Sequence, residues 1–362
     1  MIVLNLELDN LFGFEDFKIN FSYSEKVKNS SIKDEFLKGR PNFRYKKVNV
    51  LLGANSTGKT SIGKAMMAIF NFLNKKEIIT VTQYIRDIEK TMRFSMDFIL
   101  DGKNDLYRVD FKYKKENESE KIDLDLYKAD ILKNDSYETT IGKIEKINLK
   151  NENYIETLSE LEKVSGWLFT YPEQGSNFLK NNNEVMDIKV FENILKTLDP
   201  SIEKVSKLDK VKNAYVLTLK GEDLIIQDGE FVKKNNILSS GTKSGLDIAY
   251  ITSAIKKNTN IYYYCDEKFS YIHSDIEKAI LSLMIDFLKP NTQLFFTTHN
   301  MEVLNMDLPA HCFTFLKKRE KIEVVYASEY IDEDNIFLME AIKNDVFNVA
   351  PYLDLIYELE EA

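Results

Sequence analysis

The sequence predicts an α/β fold in which short buried strands alternate with helices, beside an antiparallel β lobe. An apolar run at 48–52 leads directly into a glycine-rich loop and then an amphipathic helix. Two further apolar runs of strand length, at 260–267 and 293–300, end in polar residues. Paired alternating runs near the N-terminus and within 92–113 are typical of antiparallel hairpins. Continuous apolar runs of this length are typical of buried strands.

Composition indicates a folded protein without a membrane span. Hydrophobic residues make up 44% and charged residues 30% of the 362 residues, enough for a core and a hydrated surface. At this length we expect one large domain with a lobe, or two domains. No apolar run approaches the roughly 18 residues of a spanning helix, and the N-terminus does not resemble a signal peptide. Two cysteines cannot build a disulfide framework, so we expect a cytoplasmic protein with no membrane contact.

The N-terminal part predicts a hairpin followed by a basic loop. Residues 2–8 and 17–21 alternate between apolar and polar, whereas 23–47 are polar and contain a Gly-Arg-Pro turn. The net charge of −9 disfavours a generic basic coat for nucleic acid but leaves a local patch open. Either this loop contacts phosphates or it is an ordinary solvated insertion. Its basic residues are Lys26, Lys28, Lys33, Lys38, Arg40, Arg44, Lys46 and Lys47.

Residues 53–60 read GANSTGKT and predict a phosphate-binding loop. The predicted strand before them and the helix over 61–72 are the context in which backbone N–H groups and the helix dipole converge on phosphates. We expect Lys59 to reach the terminal phosphates and the Thr60 hydroxyl to bind Mg²⁺. The expected nucleotide-binding residues here are Asn55, Ser56, Thr57, Gly58, Lys59, Thr60 and Ser61.

The middle of the chain predicts a hairpin and then a mixed, mainly helical segment. Residues 92–100 and 106–113 alternate around a turn at 101–104, and the charge run at 114–122 is typical of a solvated segment. Helical patterns occur near 154–167 and 190–198. A further β pair is predicted at 214–221 and 223–229. We find no internal repeat and no heptad pattern long enough for a coiled coil.

Three later motifs complete a candidate site. The turn ILSSGTKSG at 237–245 precedes an apolar helix, so Ser239, Ser240, Gly241 and Thr242 form either a second anion-binding helix N-terminus or only a well-capped one. Asp266 and Glu267 end a buried strand, where one carboxylate can complete a Mg²⁺ shell and the other can take a proton from water. His299 ends another buried strand and can contact the terminal phosphate, although many such histidines are structural.

In this order the four motifs resemble those of the ATP-binding-cassette (ABC) superfamily of ATPase heads. GANSTGKT is similar to its Walker A loop, LSSGTKSG to its signature motif, YYYCDE to its Walker B strand, and FFTTHN to its switch-histidine strand. The hairpin and the long middle segment resemble the branch that contains chromosome-maintenance (SMC), RecF and OLD-type proteins. Within it, the chain looks like stand-alone bacterial ATPases linked with anti-phage defence. The resemblance covers most of 1–75 and 207–330.

The resemblance implies a discontinuous head over 1–74 and 207–330, an inserted lobe over 75–206 and a helical extension over 331–362. It implies ATP and Mg²⁺ as ligands, with Asp266 on the metal, Glu267 as general base and His299 as sensor of the γ-phosphate. The signature turn would close over the ATP of a second protomer in a homodimer. A metal-sensing glutamine is also expected, for which Gln174 and Gln83 are the candidates.

This chain departs from the family pattern at two of its motifs. Tyr271-Ile272-His273-Ser274 keeps a histidine but loses the proline of the usual Leu-His-Pro, and Thr242 replaces the second glycine of transporter signatures. Adenine stacking could involve Phe12 or Phe14, which are equally compatible with core positions. About sixty residues follow the histidine strand, too few for a fused nuclease domain. The acidic residues Asp332, Glu333 and Asp334 are better interpreted as charges at a helix start.

Two functions fit these features. The first is an ATP-hydrolysing switch that senses or clamps nucleic acid and controls a separate effector protein, such as a nuclease or toxin in anti-phage defence. The alternative is a nucleotide-gated scaffold that recruits or restrains a protein without nucleic acid. A transporter ATPase is disfavoured because such heads are compact and have a glutamine in the signature. A nucleotide kinase or small GTPase needs neither a signature motif nor a histidine switch.

Overall fold

A computed structural model gives the fold of residues 1–23, 30–116, 119–147, 153–164, 166–171, 186–211, 214–227, 230–232, 239–331 and 338–349. The strands are β1 (Ile2–Asp9), β2 (Phe17–Asn20), β3 (Phe36–Leu37), β4 (Arg40–Arg44), β5 (Val48–Leu52), β6 (Met92–Ile99), β7 (Asp105–Glu116), β8 (Ser119–Asp130), β9 (Glu145–Lys146), β10 (Trp167–Thr170), β11 (Ile202–Lys207), β12 (Ala214–Leu219), β13 (Glu222–Gln227), β14 (Glu230–Phe231), β15 (Tyr262–Asp266), β16 (Gln293–Thr298), β17 (Phe313–Lys318) and β18 (Ile322–Tyr326). The helices are α1 (Lys59–Lys75), α2 (Ile79–Thr82), α3 (Tyr137–Ile141), α4 (Tyr154–Ser159), α5 (Ile188–Leu198), α6 (Ser240–Lys257), α7 (Ser274–Phe287) and α8 (Leu338–Lys343).

The central sheet confirms the predicted α/β class and sets the position of the site. Its strand order is β10-β15-β16-β5-β17-β18, and every neighbouring pair is parallel except the last. Asp266 pairs with Thr297, and Thr298 pairs with Leu52. Because parallel strands end at the same edge, the residues that follow β15, β16 and β5 meet there.

Both faces of the central sheet are covered, which explains the continuous apolar strands. In β15, Tyr262 and Tyr264 pack with α1 and the antiparallel sheet, whereas Tyr263 and Cys265 pack with α6 and α7 on the other side. Successive side chains of a strand point to opposite faces, so a doubly covered strand needs apolar residues at every position. The result is a layered structure with α1 between two sheets.

The antiparallel lobe has the strand order β2-β1-β6-β7-β8-β9. The hairpins predicted at the N-terminus and within 92–113 lie here as β1–β2 and β6–β7. The charge run at 114–122, expected to be solvated, contributes the ends of the long β7–β8 hairpin, with Glu116 paired to Ser119, and its described side chains are exposed or half-buried. Strand β8 alternates Ile122, Leu124 and Leu126 with polar residues. This alternation lets β8 stay paired through its charged positions, whose side chains remain hydrated at one end of the sheet.

The prediction of a basic loop over 23–47 is wrong in part. Its described portion contains β3 and β4, and Lys46 and Lys47 are buried, with exposed fractions of 4% and 2%. Lys46 Nζ lies 4.0 Å from the centroid of the Tyr326 ring, and burial lowers the pKa of Lys46 to about 8. Lys47 Nζ donates to the carbonyl of Lys33 at 2.7 Å. Internal acceptors and an aromatic face therefore hold these two cations away from solvent.

A third sheet, β11-β12-β13-β14, packs on α5, which in turn packs on α6. The predicted β pair at 214–229 corresponds to β12 and β13, and the helix predicted near 190–198 to α5. The helix predicted near 154–167 ends earlier: α4 stops at Ser159, and β10 begins at Trp167. The run Trp167–Thr170 is almost wholly buried beside β15, which favours a sheet strand over a surface helix.

The expected segments of the chain are interleaved in space. Within 75–206, β6 to β8 pair with the N-terminal β1, β10 lies in the central sheet, and α5 packs on α6. The expected boundaries therefore describe the order of segments along the chain, and as domain limits they stay a proposal. These segments are 1–74, 75–206, 207–330 and 331–362. Among the described residues, no helix has both the length and the apolar character needed to cross a membrane.

Candidate active site

The phosphate loop joins β5 to α1 and has a backbone that only glycine fits in two places. Gly53 has a φ of +156°, and a Cβ there would lie 2.4 Å from the carbonyl oxygen of Leu316. Gly58 precedes α1 with a φ of +99°, and its Cβ would lie 3.0 Å from Ile322 Cδ1. Asn55 and Ser56 are exposed at the tip, while Thr60 and Ser61 belong to the first turn of α1. The loop therefore lies tightly against β17 and β18 and presents the helix N-terminus outward.

Lys59 is buried at the centre of the site. Its ammonium donates to the carbonyls of Gly53 and Ala54, at 2.8 and 3.0 Å, and lies 3.3 Å from Glu267 Oε1. Burial lowers the pKa of Lys59, and the Glu267 carboxylate acts in the opposite direction. A partly desolvated cation inside the phosphate loop is suited to bind a phosphate oxygen.

Asp266 has one carboxylate oxygen, Oδ2, without a hydrogen-bond partner among the residues that the structure describes. Its side chain is fully buried at the end of β15; Oδ1 accepts from the Thr297 hydroxyl, whereas Oδ2 has no hydrogen-bond partner among the described residues. Burial raises the pKa of Asp266, while the hydroxyls of Thr297 and Thr60 act in the opposite direction. A buried orphan oxygen requires an explanation, and a hard divalent cation between Asp266 and Thr60 would provide one.

Glu267 and His299 are in direct contact. Glu267 Oε1 lies 2.9 Å from His299 Nε2, and His299 Nδ1 lies 3.2 Å from the carbonyl oxygen of Gly53 and 3.3 Å from Lys59 Nζ. Glu267 has a φ of +47°, which is strained for a non-glycine residue, and its N–H donates to Thr297. Residues that follow β5, β15 and β16 in the chain thus form one cluster of a carboxylate, an imidazole and an ammonium.

The signature turn is well formed but lies apart from this cluster. Ser239 caps α6 by accepting from the Thr242 N–H at 3.0 Å, and its hydroxyl lies 2.8 Å from that of Thr242. Ser240 is exposed, and Thr242 is buried. Within the described part of the chain, no hydrogen bond or ion pair joins residues 239–242 to residues 53–61. The described contacts of the turn are therefore made within the turn and with Asp199, whose Oδ2 lies 3.4 Å from the Thr242 hydroxyl.

Of the remaining sequence candidates that the structure describes, Gln83, Phe12 and Phe14 make no hydrogen bond to the cluster of Lys59, Glu267 and His299. The side chain of Gln83, which follows α2, donates to the carbonyl of Thr80 at 3.5 Å. Gln174 lies outside the described residues, as do Asp332, Glu333 and Asp334. Phe14 is fully buried beside Gly58 and is a core residue. Phe12 stacks on Tyr84, with ring centroids 4.1 Å apart.

Sequence reasoning missed three residues that build the site. Thr297 binds both Asp266 and the Glu267 N–H, and Tyr264 donates its hydroxyl to the Lys59 carbonyl at 2.6 Å. Glu277 on α7 contacts both chain neighbours of His299. Thr297 and Tyr264 stand inside the strand motifs and were visible as polar groups in buried runs, whereas Glu277 looks in the sequence like an ordinary charged helix residue.

The strand order, the phosphate loop and the acidic residues at the carboxyl edge of the central sheet together define a P-loop NTPase fold. Among solved structures, the chain is similar to SMC head domains. A SmcHead bound to the C-winged helix domain of ScpA shares 14% identity over 91% of this chain and 100% of that one, with a TM-score of 0.51. This likeness establishes the fold.

Two further SMC heads align less closely. The head domain from Thermotoga maritima shares 14% identity over 90% of this chain and 99% of its own, with a TM-score of 0.46. The head from Pyrococcus furiosus, which has an extended coiled coil and is bound to the C-terminal domain of ScpA, shares 12% identity over 94% and 98%, with a TM-score of 0.48. The sequence matches no protein-family model and no curated protein.

Proposed function

We propose that this protein is an ATP-binding and ATP-hydrolysing switch that dimerises head to head around two ATP molecules. The observation that carries the proposal is the convergence of Lys59, Glu267 and His299, with Asp266 beside them, at the mouth of a phosphate-binding loop. A phosphate grip, a metal ligand and a positioned base are the parts that phosphoryl transfer to water needs.

Binding of ATP would involve residues 55–61, whose backbone N–H groups would donate to the phosphates, with Lys59 on the terminal phosphates. The hydroxyl of Thr60 and the free oxygen of Asp266 would hold Mg²⁺, which neutralises phosphate charge when bound. Phosphates in the loop would compete with Glu267 for the Lys59 ammonium. Binding would thereby free the Glu267 carboxylate to accept a proton from the attacking water.

His299 would orient the reacting groups from the other side. Its Nε2 contacts Glu267 and its Nδ1 contacts the loop carbonyl of Gly53, so the ring bridges the base and the phosphate grip. A small shift of the imidazole would bring it to the γ-phosphate or the attacking water. His299 thus acts as the sensor that distinguishes ATP from ADP.

The exposed signature turn supports a composite site. Ser239, Ser240 and Gly241 make no polar contact with their own phosphate loop within the described residues, so the N-terminus of α6 is free to bind the ATP of another copy. In an isologous dimer each ATP would be held by the loop of one protomer and the signature of its partner. Hydrolysis would then weaken the dimer and release the closed state.

Control of a separate effector and sensing of nucleic acid belong to the same proposal, with less support. The SmcHead neighbour is bound to a ScpA domain, which shows that a head of this fold can carry a protein partner. The basic segment keeps Lys33 and Lys38 exposed, but the burial of Lys46 and Lys47 removes two cations from its surface. That burial favours the second candidate function, a nucleotide-gated scaffold that acts on a protein alone.

ATP hydrolysis by the purified chain tests the proposal and separates the two functions. Turnover is measured at two salt concentrations, alone and with double-stranded DNA, single-stranded DNA or RNA. Glu267→Gln should bind ATP but hydrolyse it about 10² to 10⁴ times more slowly, because the base is removed and the phosphate grip is kept. Lys59→Ala should lose ATP binding itself.

Stimulation that fades with salt supports nucleic-acid sensing through phosphate contacts. Turnover that is indifferent to every nucleic acid supports the scaffold. Wild-type turnover by Glu267→Gln would refute the catalytic assignment.

A further inference from the structure

We propose that Glu277 is a positioning residue that fixes the switch histidine, His299, against the base Glu267. This inference rests on the proposed ATP hydrolysis for its consequence in catalysis, but its structural part stands on contacts alone. Glu277 touches neither the phosphate loop nor Glu267 in any recorded contact of the described chain. Its effect on the reaction must therefore pass through His299.

The contacts of Glu277 hold His299 from both sides along the chain. Glu277 Oε1 accepts from the Thr298 hydroxyl at 2.7 Å, and Oε2 accepts from the Asn300 side-chain amide at 2.7 Å. The Asn300 N–H donates to the Thr298 hydroxyl oxygen at 3.0 Å, which ties the two neighbours together. With both flanking residues fixed to α7, the backbone of His299 has little freedom, and the ring is directed toward Glu267 and Gly53.

The chemistry of the clamp requires an acceptor that faces Asn300, whereas the Thr298 hydroxyl can either donate or accept. Asn300 accepts from the Glu302 N–H at 3.0 Å through its own side-chain oxygen, so its amide group must face Glu277 as a donor. Glu277 is 1% exposed, and burial raises its pKa, opposed by the two hydrogen bonds. Unpaired buried carboxylates are strongly disfavoured, so this one is stable here because both oxygens are satisfied.

The same helix connects this clamp to the signature turn. The N–H of Glu277 donates to the carbonyl of His273, whose own side chain caps α7. A Cβ on Gly241 would lie 3.1 Å from the carbonyl oxygen of Tyr271, so the turn before α7 abuts the signature. A rigid helix therefore begins where the second protomer would dock and carries the side chain that holds His299.

Kinetics of Glu277→Ala and Glu277→Gln test the role in the reaction. We expect Glu277→Ala to lower kcat about tenfold or more, with KM for ATP changed less than about twofold, because a displaced catalytic group loses rate while the phosphate grip remains. Glu277→Gln should recover most of the rate. Its amide oxygen can accept from Asn300 while its amide nitrogen donates to the Thr298 hydroxyl oxygen. Asp286→Ala, an exposed acid on the same helix, is the control and should match wild type.

The imidazole resonances give a readout that does not require turnover. The chain has three histidines, so His273→Ala and His311→Ala assign the ring signals of His299 by elimination. In Glu277→Ala and in Thr298→Val, the His299 resonances should shift, whereas Glu277→Gln should retain the wild-type signals. These spectra are recorded on whichever of the two disruptive variants folds.

An unchanged His299 signal in a folded disruptive variant would overturn the inference, and so would an unchanged kcat. If the wild-type protein hydrolyses no ATP, the proposed function fails, but the resonance measurement still decides whether Glu277 positions His299.

Discussion

At the residue scale, the site depends on groups whose charge is opposed by their surroundings. Lys59 is buried at 3% exposure, Asp266 is fully buried with one free oxygen, and Glu267 has a strained backbone. All three features are unfavourable for the stability of the free protein. A bound ligand would bring compensating charge to Lys59 and Asp266, whereas the strain at Glu267 is conformational. Buried charges and strained backbone that lower the stability of a folded protein are concentrated at functional sites.

Asp266→Asn should stabilise the ligand-free protein at neutral pH. Because burial raises the folded-state pKa of Asp266 above its ordinary value of 3.8, ionisation is harder in the folded state than in the unfolded one. The destabilising contribution is therefore absent below the unfolded pKa and complete once pH exceeds the folded pKa. The Tm of Asp266→Asn should exceed that of wild type at pH 8, and the difference should shrink toward pH 4.

Thermal unfolding across this pH range is the measurement, with the exposed Asp286→Asn as control. Added Mg²⁺ and ATP should raise the Tm of wild type and have little effect on Asp266→Asn, because the variant lacks the metal ligand. A Tm difference that is the same at every pH would contradict the assignment of buried charge.

At the element scale, a largely buried ion pair joins strands of the antiparallel lobe. Arg108 on β7 donates to both oxygens of Asp97 on β6, at 2.6 and 2.8 Å, and the Tyr137 hydroxyl of α3 also donates to Asp97. Asp97 is fully buried, and Arg108 is about a quarter exposed. This network joins three elements through a single carboxylate.

Asp97→Ala should lower the free energy of unfolding by about 3 kcal/mol, because it leaves the Arg108 guanidinium and the Tyr137 hydroxyl without their acceptor. The control is Asp125→Ala, which breaks an ion pair with Lys146 whose two side chains are 41% and 52% exposed, and should cost less than about 1 kcal/mol. Urea unfolding monitored by circular dichroism measures both. Equal losses in the two variants would show that Asp97 does not fasten the lobe.

The elements also show how far local pattern carries a prediction. The phosphate loop, β15, β16 and the hairpin β6–β7 were predictable, because their periodicity and turn residues are contiguous in the sequence. Strand β10 and the continuation of β7 and β8 through the charge run were missed. Their pairing partners lie elsewhere in the chain, and the charges at 114–122 obscured the alternation.

At the scale of the whole molecule, the proposed dimer shares each ATP site between the phosphate loop of one protomer and the signature turn of the other. Lys59→Ala should prevent a protomer from binding ATP in its own phosphate loop. Ser240→Arg should prevent a protomer from closing its signature turn over a partner's ATP, while its own phosphate loop still binds ATP. Each variant alone should be inactive. A heterodimer of the two contains one complete site, made of the Ser240→Arg loop and the Lys59→Ala signature.

An equimolar mixture of the two variants should therefore recover up to about a quarter of wild-type ATP turnover. About half of the dimers would contain one copy of each variant, and one of the two ATP sites in such a dimer would be complete. Sedimentation with ATP should show dimers in the mixture and none in Lys59→Ala alone. A mixture no more active than its components would contradict the shared site.

The sequence by itself determined the local chemistry of this protein. GANSTGKT between strand and helix, Asp266-Glu267 and His299 at strand ends, and the signature turn are short stretches whose roles follow from neighbouring residues. Tertiary structure decided which of them meet, because Lys59 and His299 contact each other across 240 positions of the chain. It also buried Lys46 and Lys47, which look solvated in the sequence, and it placed Glu277 against the neighbours of His299. Burial and long-range pairing depend on sheet order, and no local pattern encodes that order.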